Sequence, residues 1–432
     1  MSLFKEYDIR GVYPAELSEE EAILIGKSIA AYSRTKKIVV GRDGRLSSPA
    51  LAKSLIKGIT SQGADVVDIG VVSTPMLYYA AIKMKSWGVM VTASHNPKEY
   101  NGFKTIDNKG VMRHYSTGMK DVEKIYVKNI FQKRKSGTVV KKNILPKYLA
   151  ELKKSFSGKF GAKATIDFSN GSGSVPKKIF DLLKIKHRKM YDRIDGNFPH
   201  HECNPLKPAA LIALKKAVVI EDSDVGIIFD GDADRVGFID ENGDVAEPDF
   251  IFILLAMHEL EKKQGNFYHD LRFSKSVEEN IPTAHKLRVG NPFFKDALRN
   301  DKKSILAAEL SGHIMYKEHY NIDDALYASL KLLQYLSHRK EKLSKLIASL
   351  KKYHKSEEIN LNVIDKDAAL LKVEDIYSKY EIERIDGITV KGNGFWFNVR
   401  KSNTEPLIRV VIEAGTEENL YRVREKLLSE LR

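Results

Sequence analysis

Short apolar runs alternate with stretches of helical spacing along most of the chain. Ile38-Val39-Val40 predicts a buried strand entering the turn Gly41-Arg42-Asp43-Gly44-Arg45, and Pro49 to Thr60 then spaces its apolar residues as a helix does. Asp65 to Gly70 reads as a strand, Pro75 to Lys85 as a helix, and Gly88 to Thr92 as the next strand. Strands separated by helices of this length imply β-α-β units. The pattern returns with strand Ala164 to Phe168, the glycine-rich turn Ser169-Asn170-Gly171-Ser172-Gly173 and helix Pro176 to Leu183. Strand Asp224 to Phe229 and a returning strand Val236 to Asp240 follow. A third set comprises helix Phe250 to Lys262, strand Ser304 to Ala308 and helix Ala325 to Ser337. One α/β layout used three times predicts three similar domains, although no repeat is visible residue by residue.

The C-terminal stretch has a different rhythm. Gly387 to Val390, Phe395 to Val399 and Ile408 to Ile412 read as three strands joined by short turns. Thr416 opens a closing helix, with Glu417 and Glu418 in its first turn and Leu420, Val423, Leu427 and Leu431 on one face. This is a small α+β unit, and the lysine-rich stretch Lys351 to Lys355 reads as the linker into it.

At 432 residues, with 43% apolar composition, the chain is a multidomain globular protein rather than a disordered one. Phe250 to Met257, its longest apolar run, is far too short to span a membrane. No hydrophobic segment near the start suggests a secretory signal, and the single cysteine, Cys203, cannot form an internal disulfide. A reducing cytoplasmic location is expected. The net charge of +14 is concentrated between Met112 and Lys163, where 14 basic residues face three acidic ones. A nucleic-acid partner is not expected, because no recognition pattern accompanies these lysines; a positive field would also attract small phosphorylated substrates.

Four motifs carry chemistry. Thr92-Ala93-Ser94-His95-Asn96-Pro97 places a serine where the chain leaves a strand, exposed enough to act as a nucleophile. No Gly-x-Ser-x-Gly elbow surrounds it, and His95 would point away on an extended chain, so a hydrolase triad is not supported. Asp230-Gly231-Asp232-Ala233-Asp234-Arg235 supplies three carboxylates at two-residue spacing, which on extended chain would share one side and call for a hard cation. A calcium loop ending at Glu241 is disfavoured, because Arg235 stands where that loop needs glycine. Glu309-Leu310-Ser311-Gly312-His313 offers a carboxylate and a hydroxyl suited to neighbouring sugar hydroxyls. Arg400-Lys401-Ser402-Asn403-Thr404-Glu405-Pro406 has the makeup of a metal-free phosphate cradle.

In this order the four motifs resemble the α-D-phosphohexomutase superfamily, closest to its phosphomannomutase/phosphoglucomutase branch. The likeness extends from Phe4-Lys5-Glu6-Tyr7-Asp8-Ile9-Arg10-Gly11 through Gly41-Arg42-Asp43-Gly44-Arg45 and Asn101-Gly102-Phe103-Lys104 to Thr404-Glu405-Pro406. It implies an α/β protein of four domains around a central cleft: three similar mixed α/β domains, 1–145, 146–242 and 243–352, and a C-terminal α+β domain, 353–432, similar to the TATA-binding-protein fold. It implies phosphorylated hexoses as substrates, interconverted between 1- and 6-phosphates by a monomer that uses Mg²⁺ and is activated by hexose 1,6-bisphosphate.

The resemblance also implies residue roles. Ser94 is the phosphoserine and, with Asp230, Asp232 and Asp234, a ligand of Mg²⁺. Arg10, Lys104 and Arg235 lie beside it, with Lys104 or Arg10 as acid/base. Glu309 and Ser311 bind sugar hydroxyls, and Arg400, Ser402, Asn403 and Thr404 hold the phosphate that is not reacting; Tyr7 and His313 complete the substrate-binding set. Two departures touch the substrate. Asn291 follows Gly290 where relatives carry a histidine, and Arg272 falls where relatives place a lysine. Phosphoglucosamine mutases, the nearest rival, differ at the positions of Asn403 and Leu310. A Mg²⁺ phosphatase would leave the distal phosphate loop without a purpose.

Overall fold

The computed structural model describes residues 2–402 and 407–431. Its strands form four separate sheets of seven, five, four and six strands. The first three share one topology. In the first sheet Lys37–Arg42 lies between Asp65–Val71 and Trp87–Val91, all parallel, and Tyr100–Ile106 pairs antiparallel beyond them. In the second, Ala164–Asp167 lies between His187–Met190 and Val225–Phe229, with Val236–Asp240 antiparallel at the side. In the third, Asn266–Asp270 lies between Ala284–Leu287 and Ser304–Ala308, with Ile314–Tyr316 antiparallel. The repeat expected from the hydrophobic pattern is thus a repeat of strand order.

This topology places the chemistry. Among the three parallel strands described for each of these sheets, the first sits between the second and the third, so the C-terminal ends of the first and third flank a switch point, where α/β sheets bind ligands. The third of these parallel strands ends at Val91 in the first sheet, Phe229 in the second and Ala308 in the third. The next residues are the Ser94 motif, the aspartates and the Glu309 motif. Three motifs with no sequence similarity occupy one equivalent position.

The fourth sheet is antiparallel and contains Ile388–Gly392, Phe395–Lys401 and Leu407–Ala414. Of the fourth motif, Arg400 and Lys401 end the strand Phe395–Lys401 and Ser402 follows it. Helix Glu417–Leu431 closes the chain, and Thr416 Oγ1 accepts the Asn419 N–H at 3.2 Å as an N-cap. Part of the expected linker belongs to this sheet, since His354–Lys355 pairs with Leu407–Ala414. Two boundaries also move. Gly41 and Arg42 extend the first strand instead of starting a turn, and the helix expected from Pro176 shortens to Lys178–Leu182.

Packing divides the molecule unevenly. A single buried apolar cluster runs from Val39 through Tyr78, Tyr148, Phe168, Phe252 and Leu330 to Leu350, and so joins the first three sheets. The fourth sheet and its helices have a separate core around Val390, Phe397, Val410 and Leu427. The basic tract contains helices Met119–Lys128 and Leu145–Ser155, which bury Met119, Val122, Tyr148 and Leu152 and turn most of their lysines outward. Among the described residues no helix is long and apolar enough to cross a membrane.

Candidate active site

Ser94 follows the all-buried strand Trp87–Val91 and adopts a left-handed backbone, φ 52°. That conformation costs a non-glycine residue on the order of 1 kcal/mol, so its surroundings must enforce it. They do so through Arg45, a fully buried guanidinium. Arg45 Nη2 donates to the carbonyls of Ser94 at 2.8 Å and Asn96 at 2.7 Å, and Nη1 to those of Pro97 at 2.6 Å and Tyr100 at 3.1 Å. Asp43 balances its charge at 3.2 Å. The left-handed turn also alters the expected course of His95. Rather than pointing away, its Nδ1 lies 3.3 Å from Ser94 Oγ. Burial, with Arg235, Arg10 and Lys104 nearby, pushes the imidazole pKa well below its usual value, so the ring is neutral at pH 7. No carboxylate among the described residues backs this ring, so the exclusion of a triad stands on different grounds.

Ser94 Oγ donates to Asp230 Oδ2 at 2.7 Å. The aspartates lie not on extended chain but in a tight loop with Ala233 at φ 58°, and their carboxylate oxygens come within 4.8 Å of one another. Gly231 is needed here: a Cβ on it would stand 2.6 Å from the Ser94 carbonyl oxygen. All three carboxylates are buried. Burial, reinforced by Asp232 and Asp234, raises the Asp230 pKa well above the ordinary range. Burial acts on Asp232 in the same direction but is outweighed by Lys104 and a hydrogen bond from Thr74, and its pKa falls. Lys104 Nζ bridges Asp232, at 2.8 Å, and Asp234. Burial opposes its charge, yet these carboxylates keep it an ammonium. Asp232 Oδ1 and Asp234 Oδ1 are buried without hydrogen-bond partners. Three convergent carboxylates with two orphaned oxygens suit a hard divalent cation.

The Glu309 loop closes tightly, with Glu309 N–H on the His313 carbonyl at 2.9 Å and Gly312 at φ 91°. Burial raises the Glu309 pKa. Its Oε1 accepts the Gly290 N–H at 3.1 Å, while Ser311 Oγ is buried without a partner. His313 turns toward the metal loop: Arg235 Nε donates to its Nε2 at 3.0 Å, and its Nδ1 is 2.9 Å from Asp323. Asn291, the departure noted above, hydrogen-bonds Asp323 and lies 3.1 Å from His313 Nδ1. Tyr7 Oη donates to the Val289 carbonyl at 3.2 Å, across the cleft. Arg10 Nη1 donates to Asn96 at 2.7 Å and so borders the serine loop.

In the fourth sheet Arg400 is 5% exposed, and its Nη2 donates to Glu358 at 2.9 Å. Ser402 is buried and its carbonyl accepts from Lys366 at 3.0 Å. Asn403 and Thr404 lie outside the described residues. Arg272 does not enter the cleft as a free cation: it grips Asp270 with two nitrogens and donates to Glu358 at 2.7 Å.

The structure therefore brings Ser94, Lys104, Asp230, Asp232 and Asp234 into one cluster, with Arg10, Arg235 and His313 around it. Sequence reasoning assigned no role to Arg45, Thr74, Asp323 or Glu358. For Arg45 a signal existed, the charged turn between strand and helix; for the other three none stands out from the surrounding polar residues.

Models of phosphoglucomutase/phosphomannomutase alpha/beta/alpha domains I, II and III and of the phosphoglucomutase/phosphomannomutase C-terminal domain match residues 1–133, 146–243, 247–353 and 358–430. A phosphomannomutase of Methanocaldococcus jannaschii is 35% identical, the match covering 99% of this chain and 97% of the relative. A phosphomannomutase/phosphoglucomutase of Pseudomonas putida is 33% identical, with 100% and 95% covered. A crystal structure of a phosphoglucomutase/phosphomannomutase family protein from Burkholderia thailandensis superposes with a TM-score of 0.91 at 29% identity, covering 99% of this chain and 96% of that one. Four domain models in order, with full-length relatives and the equivalent loops converging on one cleft, show that the chain belongs to the phosphoglucomutase/phosphomannomutase family and is a hexose phosphate mutase.

Proposed function

We propose that Ser94 carries the phosphoryl group of this mutase and that the two ends of a hexose phosphate are handled by loops on opposite sides of the cleft. The observation behind this reading is the 2.7 Å contact between Ser94 Oγ and Asp230 within a buried trio of carboxylates. Asp230, Asp232 and Asp234 would hold Mg²⁺, which neutralises charge on the transferring phosphoryl oxygens. The phosphorus–Oγ bond of phospho-Ser94 breaks and the phosphoryl group passes to the free hydroxyl of a hexose 1-phosphate, whose proton goes to a base in the cleft. His95, neutral and beside Ser94, is suited to take that proton, and the Lys104 ammonium has one to give. Arg10 and Arg235 attract the phosphoryl oxygens. The bisphosphorylated sugar then reverses, its other phosphate returns to Ser94, and hexose 6-phosphate leaves; added hexose 1,6-bisphosphate would restore dephosphorylated enzyme.

Reversal demands contacts that serve both poses. Glu309 and Ser311, which has a buried hydroxyl to spare, would read the 3- and 4-hydroxyls. Arg400, Ser402, Asn403 and Thr404 would hold the idle phosphate, with Tyr7 and His313 bordering the sugar. With the 2-position unread, mannose and glucose phosphates both fit, in keeping with the names of the relatives matched. A coupled assay with mannose 1-phosphate, glucose 1-phosphate and glucosamine 1-phosphate, each with bisphosphate, tests this: turnover of the first two is expected, and turnover of glucosamine 1-phosphate alone would overturn it. Asp232→Asn should lower Mg²⁺-dependent turnover about 100-fold or more without unfolding the chain; wild-type turnover indifferent to chelator would remove the metal from the scheme.

A further inference from the structure

Glu358 receives more cationic contacts than any role so far requires. Its Oε2 accepts from Arg272 Nη1 at 2.7 Å and Arg400 Nη2 at 2.9 Å, and its Oε1 from Arg409 Nη1 at 3.0 Å. Guanidiniums this close repel one another unless an anion lies between them. A carboxylate presents oxygens to guanidinium N–H groups much as a phosphate does. We infer that Glu358 is an internal stand-in for the substrate phosphate, holding Arg400 in a phosphate-ready position in the empty enzyme and yielding it when the phosphate of a sugar phosphate arrives.

The contacts say which arginine can be handed over. Arg272 is fixed by its two-nitrogen grip on the buried Asp270, which in turn accepts the Leu310 N–H at 3.2 Å. Among the described residues Arg400 has no such second anchor: its ion pair is with Glu358, and its Nε is buried without a hydrogen-bond partner. It retains binding capacity that Glu358 does not use. Arg272 also explains its own departure from the relatives' lysine, because an ammonium cannot grip one carboxylate with two nitrogens while donating a third to another. The device belongs to the junction of the third and fourth domains, so exchange of Arg400 between carboxylate and phosphate couples substrate arrival to the position of the fourth domain.

The inference rests on the proposed role of Arg400, and the test separates the two. In steady-state kinetics with glucose 1-phosphate, Glu358→Gln keeps shape but removes the competing charge. KM is expected to fall on the order of ten-fold, and kcat to fall with it because the phosphate leaves the loop more slowly. A raised KM would overturn the inference and leave Glu358 as a simple tether. Should the variant not fold, a crystal structure of the wild type with glucose 1-phosphate decides. A phosphate oxygen on Arg400 with Glu358 moved beyond about 3.5 Å supports the handover. Phosphate on Arg400 with the Glu358 contact intact overturns the inference alone, and phosphate bound away from Arg400 overturns both it and the role assigned to that loop.

Discussion

The two phosphate-handling ends of this cleft are built from opposite kinds of bonding. Around Ser94, backbone meets backbone across domains: Thr74 N–H donates to the Asp232 carbonyl at 2.9 Å, and Val236 N–H to that of Gly312 at 3.0 Å. One apolar cluster runs beneath all three loops. At the junction with the last domain, the hydrogen bonds among described residues all involve a side chain, such as Glu413 accepting from Lys275 N–H at 2.9 Å and Asp386 from Val289 N–H at 3.1 Å. A cavity of about 240 Å³ between Phe273, Lys286, Tyr353, Phe395 and Trp396 leaves that junction loosely packed. Chemistry that must hold reacting atoms within a fraction of an ångström sits on the fused part. Capture and release of a reversing sugar fall to the part held by exchangeable polar contacts.

The sharpest way to break this contrast is at the rigid end. Ser94→Ala should lower turnover by about three or more orders of magnitude, since it removes the hydroxyl that meets Asp230 at 2.7 Å, whereas the other hydroxyl on the cluster, Thr74, is bonded to Asp232. Intact-protein mass should show one phosphate on the wild type and none on the variant. Near-normal activity in Ser94→Ala would move the nucleophile elsewhere and dissolve the distinction between the ends.

Arg400→Ala probes the other end and should act differently. Loss of a charge-assisted, two-pronged contact costs about 2–5 kcal/mol, or roughly 30-fold or more in kcat/KM. Phosphorylation of Ser94 should persist, because Arg400 lies outside that cluster. More bisphosphorylated sugar should also escape per turnover, since reversal depends on this loop catching the second pose. Unchanged kcat/KM with no extra leakage would reduce the loop to an ordinary hairpin turn.

The same division governs what the sequence could reveal. Strands and motifs were legible because apolar runs end where polar clusters begin, as at Val91 to Ser94, Phe229 to Asp230 and Ala308 to Glu309. Local conformation was not. Extended chain was the natural assumption for His95 and for the aspartates, yet the left-handed turns at Ser94 and Ala233 redirect both, and nothing in a serine or alanine announces φ above zero. Partners distant in sequence were also hidden. Arg45 and Ser94 are 49 residues apart, Thr74 and Asp232 are 158 apart, and Arg272 and Glu358 are 86 apart. Single polar residues carry no periodic signal, so only the folded chain shows that they meet.

The smallest expected effect separates the two regions by acid. Burial alone would raise the Glu358 pKa, but Arg272 and Arg400 outweigh it and hold the carboxyl at about 2. A folded pKa below the free value of about 4.3 means that the stabilisation is complete above that pH and is lost as pH falls toward 2. Undocking the last domain removes only Arg272 from this carboxylate, because Arg400 and Arg409 travel with it. The share at stake is therefore on the order of 1 kcal/mol, too little to unfold a domain but enough to shift a hinge several-fold. Small-angle scattering between pH 4 and pH 2 should show the molecule expanding while the far-ultraviolet circular dichroism stays constant. Glu358→Gln should be looser at pH 7 and lose this pH dependence. Expansion that appears only together with loss of secondary structure would mean that the junction is as firmly built as the Ser94 end, and the contrast between them would fall.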